Sequence, residues 1–127
     1  LGDVYKRQIL ILCGFILGYE RQKTNKVIGI RSVILLMLGS FIFTYISTRI
    51  GGDPSRVAAQ IASGVGFIGA GIIWKDKSTN IANLTTAILI WVIAALGSMI
   101  AIELFMEAII ITGIIYIVLK FNFLKDV

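Results

Sequence analysis

Apolar residues run along this chain in long blocks separated by short polar gaps, and five blocks stand out. The first covers Ile9–Tyr19. Eleven residues of helix reach only ~16 Å, about half of a ~30 Å hydrocarbon core. Either this helix is truncated, the favoured reading, with residues 1–8 a non-native or truncated start, or those residues, with Asp3, Lys6 and Arg7, extend it awkwardly. The second block covers Ser32–Thr48, seventeen residues, near the lower limit for a span. The third opens at Asp53-Pro54 and runs to Trp74. Asp is a good N-cap, and Pro is tolerated at the first helical position because no internal N–H bond is lost there. Its length, about 31 Å, matches a bilayer. After Asn83 comes an apolar stretch of 36 residues, ending at Leu119 and too long for one helix. A break at Met99–Glu103 divides it into a fourth and a fifth helix.

These blocks predict an all-α fold: a polytopic transmembrane bundle of about five helices, the first truncated. It occupies residues 9–120, with 121–127 as a short cytoplasmic tail. Composition agrees: of 127 residues, 57% are hydrophobic and 15% charged, against about 45–50% and about 25% in soluble domains. A soluble fold this small could not hide that much apolar surface.

Charge sets the orientation. The net charge is +5, but Lys and Arg sit in the gaps rather than on one face, which excludes nucleic acid as the partner and leaves membrane lipid. Arg21, Lys23, Lys26 and Arg31 lie in the first gap, Lys75 and Lys77 in the third, Lys120 and Lys125 in the tail. Only Arg49, Arg56 and the early Lys6 and Arg7 fall on the other side. Excess Lys and Arg mark cytoplasmic loops, so the C-terminus is expected in the cytoplasm. With no His and a single cysteine, Cys13, there is no His-based catalysis, no His/Cys metal site and no intrachain disulfide. No nucleophile–base constellation is visible, so the chain does not read as an enzyme, and no cofactor is expected.

Gly64, Gly66 and Gly69 spell G-x-G-x-x-G. A dinucleotide fingerprint requires a preceding strand and a helix starting at the glycines. These lie well inside an apolar helix, so they read as packing positions, where small residues let helix backbones approach in lipid. Ala58, Ala62, Gly66 and Ala70 repeat every four residues, with Gly64 and Gly71 on a neighbouring face. Gly14 with Gly18, and Gly97 with Ala101, repeat the spacing. The third helix is expected to be the central packing element.

Among polar residues, Asp53, Arg56 and Gln60 share one face at the start of the third helix. An interfacial cap with a snorkelling Arg is the plainer reading, a polar cluster facing a cavity or partner the sharper one. Glu20 and Arg21 close the first helix and Arg31 opens the second, allowing a Glu20–Arg31 pair. Thr85 and Thr86 begin the fourth. Glu103 and Glu107, four apart, could share a helix face and hold a cation such as Mg²⁺, although solvated helix ends are the plainer reading. No other metal ligands are apparent.

The run Asp53-Pro54-Ser55-Arg56-Val57-Ala58-Ala59-Gln60-Ile61, then Ser63-Gly64-Val65-Gly66-Phe67-Ile68-Gly69-Ala70-Gly71-Ile72-Ile73, resembles the signature of the MgtC/SapB family. Gly14 to Arg21, Gly29-Ile30-Arg31, and Leu84-Thr85-Thr86-Ala87 with Ile90-Trp91 and Ala94-Ala95-Leu96-Gly97 agree in order. The family's usual Thr-His is Ser32-Val33 here, and Asn83 replaces a Gly. The resemblance implies a multi-pass bacterial inner-membrane protein linked to growth in low magnesium and to virulence. It implies a regulator acting through helix-mediated contact with a complex such as the proton-translocating ATP synthase; the alternative is a transporter of Mg²⁺ or another cation. It marks Glu20, Arg21, Arg31, Asp53, Arg56, Gln60, Thr85 and Thr86 as the family's polar positions and leaves a homo-oligomer open. The virulence-associated members carry a soluble C-terminal domain, and the sequence to Val127 reads as the transmembrane domain without it.

Overall fold

The computed structural model describes residues 2–23, 28–75 and 80–121. Lys26, Lys77 and Lys125, counted above for orientation, and the tail residues 122–127 lie outside the described residues. Five helices follow in order: α1 Gly2–Lys23, α2 Ile30–Ile50, α3 Pro54–Lys75, α4 Asn80–Ala101 and α5 Phe105–Lys120. No strand occurs among the described residues. By length and composition three helices can cross a membrane: Ile30–Ile50, Ser55–Trp74 and Leu84–Ala101. The 16 residues of α5 reach about 24 Å.

The first helix extends beyond Ile9–Tyr19 at both ends, and at its start follows the less favoured of the two readings. It takes in residues 2–8 and has 22 residues, about 33 Å. One of its early charges, Lys6, finds partners. Lys6 is buried, its Nζ 3.5 Å from Glu103 and 5.0 Å from the centre of the Tyr45 ring. An ammonium over an aromatic face is attracted to the ring's quadrupole.

The turns follow residue chemistry. Gly51 and Gly52, with φ of +83° and +92°, end α2 in backbone that side chains resist. The Asp53 carboxylate accepts the backbone N–H of Ser55 at 3.0 Å and its hydroxyl at 2.6 Å, the geometry of an N-cap. The α4–α5 turn lies at residues 102–104, where the Leu104 N–H bonds the Met99 carbonyl and the Glu103 N–H that of Ile100. That is a Schellman closure. Its left-handed position holds Glu103, φ +68°, where glycine is usual. Glu103 thus stands outside α5, and the helical face expected to pair it with Glu107 does not exist.

The central helix is α4, not α3. It packs against α1, α2, α3 and α5. Its buried residues come as adjacent pairs at helical spacing: Thr86 and Ala87, Leu89 and Ile90, Ile93 and Ala94, Leu96 and Gly97, Ile100 and Ala101. So wide a stripe lets four neighbours surround one helix.

Close approach explains which glycines matter. A Cβ at Gly97 would collide with the Ser40 Oγ and Met37 carbonyl of α2. The Ser40 hydroxyl donates to the Ala94 carbonyl at 2.7 Å, and Thr44 bonds Ser98 at 2.8 Å. The α2–α4 contact is therefore backbone-close and laced by hydroxyls. In α1, a Cβ at Gly14 would lie 2.7 Å from Ile34 Cγ1, and one at Gly18 2.5 Å from the Ile30 Cα. In α3 only Gly69 touches a neighbour, Ala87 of α4; nothing lies within 4 Å of a Cβ at Gly64, Gly66 or Gly71. Ala58, Ala62 and Ala70 are exposed. The small residues of α3 are plentiful, but within this chain most face outward.

Two stability predictions follow from these contacts. Gly18→Val and Gly97→Val should each destabilise the bundle in detergent by about 1–3 kcal/mol through overpacking, whereas Gly66→Ala should stay within about 0.5 kcal/mol; denaturation followed by circular dichroism measures all three. Glu103→Gln should cost about 1 kcal/mol by leaving Lys6 without its counter-charge, a value reduced by the exposure of Glu103. Glu107→Gln should be neutral in the same assay.

Candidate functional site

Two regions collect the polar positions marked by the sequence. The first lies where α1 ends. Glu20 and Arg21 are both buried, and the Arg21 Nε–H donates to Glu20 Oε1 at 2.7 Å. A terminal N–H of Arg21 reaches the Oγ1 of the fully buried Thr86, 3.5 Å away on α4. Chain neighbours on a helix do not ordinarily face each other, and here the long Arg side chain folds back to its neighbour. Glu20 therefore pairs with Arg21 and not with Arg31, which is exposed at the start of α2. Thr85, beside Thr86, is half-buried. The result is a neutralised polar knot between α1 and α4.

The second region is the opening of α3. Arg56 and Gln60 are exposed and line one side of a cleft of about 770 Å³ between α2 and α3. Leu35, Gly39 and Phe43 form the α2 wall; Ile61, Gly64 and Ile68 continue the α3 wall. Asp53, placed by the sequence on the same face, instead turns its carboxylate to Ser55. The Ser55 hydroxyl, then its backbone N–H, hold the Asp53 carboxyl below the usual carboxylate range. A smaller cleft of about 380 Å³ lies between α3 and α4, beside Ala58, Ala62 and Trp91. So α3 is wedged against α4 along one edge, with open space on both sides.

Glu103 and Glu107 offer no gathered donor set. Glu103 is engaged with Lys6, and among the described residues no group of three His, Cys, Asp or Glu comes together.

The sequence reading missed the hydroxyl seam of α2. Ser40, Thr44 and Ser47 are buried at helical spacing in an otherwise apolar helix, and that period was legible. It also missed the Lys6–Tyr45–Glu103 contact, which joins three distant elements and leaves no local mark.

A profile of the MgtC family matches residues 9–125. Protein MgtC of Brucella abortus (strain 2308) is 44% identical over 88 residues, covering 68% of this chain and 37% of that protein. The putative magnesium transporter YhiD of Escherichia coli (strain K12) is 46% identical over 100 residues, covering 71% of this chain and 46% of the relative. Protein SapB of Bacillus subtilis (strain 168) is 36% identical over 129 residues, covering 94% of this chain and 55% of the relative. The chain thus spans between 37% and 55% of these relatives' lengths. No solved structure matches it. A family match over nearly the whole chain agrees with a five-helix bundle whose apolar spans require lipid, and the chain belongs to the MgtC family.

Proposed function

We propose that this chain is a regulator in the bacterial inner membrane that acts by laying the outward face of α3 against a helix of another membrane complex. One observation carries the reading: only 11% of the α3 span is buried within the chain, against 56% for α4. Ala59, Ala62, Ser63, Gly66 and Ala70 are all exposed there. In lipid, a small-residue face is the kind of surface on which a second helix packs. A complex such as the proton-translocating ATP synthase, implied by the family resemblance, is the partner we propose to test. The basic residues of the α1–α2 and α3–α4 connections and of the tail support a cytoplasmic C-terminus. A role in magnesium homeostasis or virulence would follow from such regulation.

Cation transport is the second reading, raised by the printed name of the Escherichia coli relative. Glu20 is the buried acid such a route would use, but Arg21 already neutralises it. A carrier needs its acid available to the ion.

The deciding measurement is ATP-driven acidification of inverted vesicles at matched ATP synthase levels and fixed Mg²⁺. The regulator reading expects slower acidification with the protein and recovery with Gly66→Leu or Ala62→Leu, both inserted normally. Unchanged acidification would discard it and turn the question to cation flux in liposomes. For the polar knot, Arg21→Met should destabilise the protein by about 3–5 kcal/mol, the effect of stranding a buried charge. Adding Glu20→Gln should restore most of that in detergent denaturation, as expected if the pair is structural.

A further inference from the structure

We propose that the cleft between α2 and α3 is a binding site for one anionic phospholipid, with an acyl chain along its floor and the phosphate on Arg56. The proposal is independent of the regulator reading, because it uses the side of α3 turned away from Ala59, Ala62 and Gly66.

Dimensions come first. Along α3 the cleft runs from Arg56 to Ile68, about 18 Å at 1.5 Å per residue. That is close to the depth of one leaflet of a ~30 Å hydrocarbon core. The cleft also begins where a headgroup would sit, at the first turn of α3. Its volume of about 770 Å³ lies within the ~300–1,000 Å³ of small-ligand pockets. Spread over about 18 Å of α3, that volume makes a long, narrow groove open along one side, a shape that takes a hydrocarbon chain laid lengthwise.

The lining gives the same answer. Two glycines, Gly39 on α2 and Gly64 on α3, face each other's side of the slot, and nothing lies within 4 Å of where their Cβ atoms would sit. Their missing side chains keep it open. The hydroxyl of Ser40, also on the wall, is already engaged with the Met37 and Ala94 carbonyls, so the floor is apolar in effect.

Charge supplies the selectivity. Other cations at this end of the bundle have local partners: Lys6 pairs with Glu103, and Arg49 lies 4.9 Å from the centre of the Tyr45 ring. Asp53, the acid nearest Arg56 in sequence, gives its carboxylate to Ser55. Arg56 is left exposed at the mouth, with Gln60 one turn deeper. A guanidinium matches a phosphate through its forked donors, and an amide beside it can bond ester or glycerol oxygens.

The test is lipid retention by the purified full chain. Protein in detergent is loaded with equal phosphatidylglycerol and phosphatidylcholine, stripped stepwise, and the bound lipid counted by native mass spectrometry. The expected result is one phosphatidylglycerol retained over phosphatidylcholine by roughly tenfold, because the choline cation of phosphatidylcholine offsets its own phosphate charge whereas phosphatidylglycerol is net anionic at Arg56. Arg56→Gln, an exposed change that leaves packing alone, should erase that preference, while Lys120→Gln at the opposite end should not. Gly64→Leu, or Gly39→Leu should the first fail to fold, should lose both lipids with helicity intact. Equal retention of the two lipids, an unaltered preference in Arg56→Gln, or an equal loss in Lys120→Gln would overturn the proposal. So would a cleft-filling variant that changes oligomeric state and leaves lipid retention untouched.

Discussion

The bundle depends on how closely α2 and α4 approach at Gly97. Lipid tails are as apolar as leucine, so burying apolar side chains does not drive transmembrane helices together as it does in water. What holds them is van der Waals contact at short range and hydrogen bonds with no water to compete. Both operate here at one place: the absent Gly97 side chain admits the α2 backbone at Met37, and the Ser40 hydroxyl reaches the Ala94 carbonyl. Thr44 and Ser98 repeat the contact one turn further. With that seam fixed, α1 closes over α2 at Gly14 and Gly18, and α5 docks beside α1 and α4.

Two charged pairs tie the bundle together. At one end Glu20 and Arg21 neutralise each other and tie to Thr86; at the other Lys6 meets Glu103 and the Tyr45 ring. Both groups join helices distant in sequence, so they fix the relative placement of α1, α4 and the α4–α5 turn. A charge drawn from water without a partner is strongly unfavourable, which confines such residues to sites with a built counterpart.

Outside this framework stands α3. It shares one edge with α4 and leaves clefts on either flank, an arrangement costly in water and ordinary in lipid, where acyl chains fill grooves between helices. The sequence block that resembles the family signature therefore maps to the least buried of the three helices able to cross a membrane. Apart from Gly69, which packs on Ala87 of α4, its glycines and most of its alanines face outward and shape the surface of α3.

Helix number, the Asp53-Pro54 start of α3 and the break before Phe105 were legible because each rests on local chemistry: apolar run length, cap preference and charge at a turn. Family membership was legible for the same reason, being a matter of residues in order. The sequence also marked Arg56 and Gln60 as sharing a face, since helical period alone decides that. It could not say which small-residue face is buried, because Gly14, Gly66 and Gly97 have equivalent local surroundings. Only the path of the neighbouring helix distinguishes them: α2 passes over Gly14 and Gly97, and nothing passes over Gly66. Likewise the sequence allowed a Glu20–Arg31 pair, whereas in the packed chain Arg21 folds back onto Glu20 and reaches Thr86 of α4. Local propensity is written in the chain, whereas proximity between helices arises only when the chain packs.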